Sequence, residues 1–117
     1  MFNLIALFQA INPSVIYVAS PRVEIVDVQE LISLKAEAYG LDAILVSKII
    51  ECESRGLIDA LNTNTNGSHD RGLLQINTIH DTGELDMLDP EDNLDFGLQM
   101  MQKQGTRPWK SSKHCWS

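Results

Sequence analysis

Residues 64–77 read NTNGSHDRGLLQIN, and this stretch decides the fold. Its first half is crowded with Asn, Thr, Ser and Gly. Asn66-Gly67 is the strongest short hairpin signal in the chain, because both residue types tolerate the positive φ of a tight two-residue turn. Two or three very short strands are expected between residues 60 and 77.

Working outward, the segment before the hairpin is helical in pattern. Asp27 followed by Glu30 has the form of a capping box, and Val28, Leu31, Ile32 and Leu34 follow at helical spacing, so a helix is expected over 28–39, ended by Gly40. A second helix is expected from about Asp42, with Ile44, Leu45, Ile49 and Cys52 on one face, Val46 and Ile50 beside them, and Gly56 as its stop. Beyond the hairpin, Asp89-Pro90 reads as N-cap and first helical position of a helix ending at Gly105. The segment RPWKSSKHCWS, 107–117, is expected to form a turn and a short helical piece.

The second helix finishes in KIIECESRG, residues 48–56. Val46, Ile50 and Glu53 form an i, i+4, i+7 row, so Glu53 continues an apolar line while Glu51 points elsewhere. A carboxyl group led toward the core at a helix C-terminus should have a raised pKa, since burial and the negative end of the helix dipole both disfavour its charge. Such a group suits general acid catalysis. The plain alternative is an ion pair between Glu53 and Arg55 or Arg71. Asp70, on the far arm of the hairpin, offers a second carboxylate in polar company. Two carboxyl groups in unlike surroundings are the equipment of glycoside hydrolysis: one protonates the leaving oxygen, and the other stabilises or attacks the sugar cation.

Composition bounds the answer. The 117 residues make one modest domain with a formal charge of −7, which argues against a general nucleic-acid binder. Seven acids lie between Asp81 and Asp95 without a Lys or Arg, whereas Lys103, Arg107, Lys110 and Lys113 follow with no acid. A solvated acidic face and a soluble basic tail explain this, or the tail meets an anionic polymer. Cys52 and Cys115 have no zinc or redox spacing, and one bridge between them is possible in an oxidising compartment. Residues 1–24 are apolar but interrupted, so they read as a signal peptide, a disordered arm or a packed strand, and not as a membrane span. The folded domain is taken as 25–117.

Glu53-Ser54 together with the run from Asn64 to Asn77 resembles the lysozyme superfamily, with the hairpin close to animal lysozymes. The pair ES and the run GLLQIN are also similar to the catalytic domain of bacterial soluble lytic transglycosylases. The resemblance extends over roughly 27–116 and implies an α+β, mainly helical lysozyme-like fold, with a short β-hairpin sheet flanking a cleft. By the division of labour carried over from lysozyme, the type case of this scheme, Glu53 would protonate the glycosidic oxygen and Asp70 would be the second carboxylate. Ser54 would support Glu53, Gln75 and Asn77 would hold sugar with their amides, and Asn64 would lie near Asp70. Asn93 corresponds to a recurrent Asn of the transglycosylases. The ending PWKSSKHCW resembles members in which a terminal Cys pairs with one beside the acid, implying a Cys52–Cys115 disulfide.

The resemblance thus implies cleavage of the β-1,4 bond between N-acetylmuramic acid and N-acetylglucosamine in peptidoglycan, outside the cytoplasm, by a monomer without cofactor or metal. Hydrolysis and anhydro-forming transglycosylation both remain open, as does a non-catalytic glycan-binding or virion module of the same fold. Two departures stand out: only one disulfide is possible, and His80 occupies a region where animal lysozymes carry aromatic residues. Trp109 and Trp116 read as packing anchors and Met87, Met100 and Met101 as core. An exposed hairpin histidine is the reading for His69. The chain's acidity implies weak, salt-tolerant attraction to substrate.

Overall fold

A computed structural model describes residues 16–19 and 24–117, with side chains described from Asp27 onward. The expectation of a leader over 1–24 falls mostly outside the described residues. Strands β1 (Ile16–Ala19) and β2 (Glu24–Asp27) pair antiparallel, and β2 runs directly into helix α1 (Val28–Ala38).

Each helix starts and stops where local chemistry directs. Asp27 caps α1 by accepting from Gln29 N at 2.7 Å. At the other end Gly40 takes a φ of 72°, Gly40 N donates to Glu37 O, and Leu41 N donates to Ala36 O, the paired bonds of a Schellman motif. Helix α2 (Ala43–Ser54) is capped by Asp42, which accepts from Ile44 N and Leu45 N. Its buried stripe is Val46, Ile49 and Ile50. Ile44, expected on the apolar face, is 71% exposed; it lies two positions from Val46, across the helix.

The three-stranded antiparallel sheet has the order β3 (Leu61–Thr63), β4 (His69–Arg71), β5 (Ile76–Asn77). Asp70 sits on the central strand, opposite Asn62 on one side and Asn77 on the other. Directly opposed residues share a face, so this register gathers a carboxylate and two amides.

Helix α3 (Pro90–Gln104) passes through the core, burying Asn93, Leu94, Gly97, Leu98, Met100 and Met101. It holds the sheet close through two small or polar contacts. A Cβ on Gly72 would lie 2.2 Å from Met87 O and 2.3 Å from Asn93 Nδ2, and one on Gly97 would lie 2.4 Å from Leu74 Cδ1. Only glycine allows these approaches. Asn93 donates to Arg71 O and Met87 O and accepts from Leu74 N, each at 2.9 Å.

Lys35 of α1 and Tyr39, which caps its C-terminus, both bind Asp95 of α3 at 2.8 Å. Burial pulls the Lys35 ammonium down, but the hydrogen bond and charge of Asp95 outweigh it, so its pKa stands above the ordinary lysine value. Much of the acidic run has local work of this kind: Asp81, Asp86, Asp89 and Asp92 accept backbone N–H groups in turns and caps. After α3, a 3₁₀ helix (Arg107–Ser112) leads into α4 (Lys113–Trp116). Trp109 and Trp116 are buried there, and Trp109 Nε1 donates to Leu74 O at 2.9 Å.

Candidate active site

The site lies where the end of α2, the sheet and the 3₁₀ helix meet. Val46 and Ile50 are buried, and the row they start delivers Glu53 half-buried at the final turn of α2. Arg71 does not neutralise it: the guanidinium donates instead to Ile76 O and Asn77 O. The partner of Glu53 is Ser112, whose Oγ donates to Glu53 Oε2 at 2.5 Å.

Burial is the main cause that raises the Glu53 pKa above the ordinary glutamate value. The charge of Asp70 pushes the same way, while the Ser112 hydrogen bond opposes both. The result is a carboxyl group that keeps its proton to higher pH than a solvated glutamate, beside an acceptor-rich hollow. Proton donation to a bound ether oxygen is the chemistry this setting favours.

Asp70 is held by two amides. Asn64 Nδ2 donates to its Oδ2 at 3.2 Å, and Asn77 Nδ2 to its Oδ1 at 2.7 Å. Both amides also donate to Ser68 Oγ, which fixes them to the hairpin turn. Gln75 occupies the left-handed region at φ 52°, a conformation that costs a side-chain-bearing residue of order 1 kcal/mol. Three bonds keep it there: Nε2 donates to Ala60 O and Gly72 O, and Oε1 accepts from Asn62.

Glu53, Asp70, Gln75 and Asn77 line one cleft of about 140 Å³, with Trp109 and His80 at its margins. His80 itself rests against Phe96, ring centroids 6.1 Å apart. Two residues expected at the site stand elsewhere. Ser54 is buried, donates to Ile50 O and accepts from Gly56 N, so its hydroxyl closes the helix end and is not the one bound to Glu53. Asn93 is fully buried and its amide serves backbone groups, so it fastens the sheet to α3 without facing the cleft. Sequence reasoning missed Ser112. The only available signal was its place in the ending PWKSSKHCW beside the cysteine.

That cysteine is bonded. Cys52 and Cys115 form a disulfide with 6.0 Å between Cα atoms, tying α4 to the residue before Glu53. Among the described residues no three His, Cys, Asp or Glu side chains converge on a point that could hold a metal ion.

Comparison with known families agrees with this geometry. The family described as the transglycosylase SLT domain matches residues 30–113. The chain belongs to that family, a branch of the lysozyme-like superfamily whose members carry lytic transglycosylase-type activity on peptidoglycan. No curated protein matches the chain. No helix among the described residues is long and apolar enough to cross a membrane.

Proposed function

We propose that this domain cleaves the β-1,4 bond between N-acetylmuramic acid and N-acetylglucosamine, with Glu53 as first acid and then base. The observation that carries the reading is the half-buried Glu53, its proton held by a dry setting, in one cleft with Asp70 and Gln75. Glu53 passes its proton to the glycosidic oxygen as the C1–O bond breaks. The resulting carboxylate accepts the proton of the muramyl 6-hydroxyl as O6 bonds C1. An anhydro ring forms, no water is consumed, and Glu53 is protonated again.

The amide-held Asp70 favours a second reading. A carboxylate presented to the same cleft could steady or capture the C1 cation, with water completing a muramidase hydrolysis. In either route Asn64 and Asn77 orient Asp70, and the polar edge at Gln75 and Asn77 meets the sugar. Substrate and disulfide together support action in an extracellular or periplasmic setting on peptidoglycan strands, and the domain is taken to act as a monomer.

Mass spectrometry of muropeptides released from purified peptidoglycan tests both. Anhydromuramyl ends support transglycosylation and reducing ends support hydrolysis. Absence of any cleaved strand would overturn the enzymatic reading and leave a glycan-binding module.

A further inference from the structure

Beside the small cleft at Glu53 lies a wider hollow of about 620 Å³, and the two share His80, Met100, Pro108 and Ser111. No acid lines the hollow, whereas Arg107 and Lys110 do. Both belong to the 3₁₀ segment, Arg107 before and Lys110 after a kink at Trp109, and both line the hollow. Both are exposed, and neither has an acidic partner among the described residues, where Lys35–Asp95 is the salt bridge formed. Two uncompensated cations beside a cleft are conspicuous in a chain whose formal charge is −7.

Their register relative to the acid is fixed. The same 3₁₀ helix is pinned to the sheet by Trp109 Nε1 and to Glu53 by Ser112, so the cations stay at a constant offset from the scissile position. With its stem attached, the lactyl carboxyl group of each muramic acid is tied up in an amide, so the glycan itself is uncharged. On a peptidoglycan strand the anionic groups are the free carboxylates of the peptide stems, which the guanidinium fork and the ammonium group are suited to bind.

We propose that Arg107 and Lys110 form a subsite for peptide-stem carboxylates in the hollow beside the cleft, so that the domain favours strands with free stem carboxylates over strands whose carboxylates are masked as amides. This rests on the peptidoglycan reading above and names which part of that substrate the hollow takes. Exposed pairs are modest and screened by salt, so the preference should be about three- to tenfold at low salt and shrink as salt rises.

The test measures binding in the full chain carrying E53Q, which removes turnover from the result. Strands with free stem carboxylates are compared with the same strands after those carboxylates are converted to amides, at low and high salt, for E53Q and for E53Q/R107A/K110A. Melting curves establish that each variant is folded, and E53Q/R107Q serves as a second, milder change. The expected result is tighter binding of the carboxylate-bearing strands by E53Q, with the margin falling toward one in the triple variant. Equal binding of both strands by E53Q, or a margin that survives loss of both cations, would overturn the subsite. So would an equal loss on both substrates, which would make the cations general glycan contacts. Failure of the glycosidase reading shows separately, as absence of cleaved products from the unmutated chain.

Discussion

Ser112 and Glu53, 59 positions apart in sequence, share a 2.5 Å hydrogen bond that joins the 3₁₀ helix to the end of α2. Trp116 Nε1 donates to the same Ser112 oxygen at 3.1 Å, so the hydroxyl that touches the acid is itself held from behind. The bond opposes the rise in the Glu53 pKa caused by burial. Removing it in S112A should move the basic limb of the pH–rate profile to higher pH and lower kcat about tenfold through loss of positioning. S112T should recover most of the rate. An unmoved basic limb in S112A would show that the serine does not set the protonation of Glu53.

E53Q keeps the shape and removes the acidic proton. Peptidoglycan cleavage should fall at least about a hundredfold, the scale of general acid catalysis. Stability should move the other way. The folded pKa of Glu53 lies above its unfolded value, so its carboxyl group favours folding at low pH, and that contribution is lost as pH rises through the folded pKa. The melting temperature of E53Q relative to the unmutated chain should therefore rise with pH across that range. Parallel melting curves at all pH values would contradict a buried, proton-holding Glu53.

The disulfide spans 63 positions, for which chain entropy gives about 4 kcal/mol of stabilisation. C52S/C115S, or reduction of the unmutated chain, should lower the melting temperature by roughly 15 °C or more. Activity should fall with it, since α4 is then tethered only by non-covalent contacts beside Ser112. Reoxidation should restore both. A reduced protein that melts and cleaves like the oxidised one would remove the bridge from the account of the site.

Asn93 and Gly72 should prove structural. N93A leaves Leu74 N, Arg71 O and Met87 O without their partner in the interior, a loss of about 3 kcal/mol or more. In G72A a methyl group would meet Met87 O at 2.2 Å on a backbone already at φ 72°, which should cost at least about 2 kcal/mol. Urea unfolding checks both values. An N93A protein of unchanged stability but with weaker binding to glycan would return Asn93 to the substrate-contacting set.

The parts of the fold legible in the sequence are those written by neighbours in the chain. Asp27, Asp42 and Asp89 start helices, while Gly40, Gly56 and Gly105 end them, because capping is settled within a few residues. The hairpin and the inward row at Val46, Ile50 and Glu53 are equally local. What joins distant segments was not legible. The ending PWKSSKHCW puts Ser112 near the cysteine but does not say that its hydroxyl reaches Glu53, and nothing near Ser54 says that its own turns back to Ile50 O. Asn93 matched a familiar position, yet its bonds to Arg71 O, Met87 O and Leu74 N depend on the sheet docking against α3. The hollow beside Arg107 likewise exists only once α3 and the 3₁₀ helix are packed.

Closure of the Glu53 pocket by Ser112, Cys115 and Trp116 sets an order of events during biosynthesis. A ribosome makes the acid first and its supports more than fifty residues later, so a partly emerged chain carries the reactive group in an open, hydrated setting. The setting that holds the Glu53 proton therefore forms only after residues 112–116 have been made and docked and Cys115 has been oxidised.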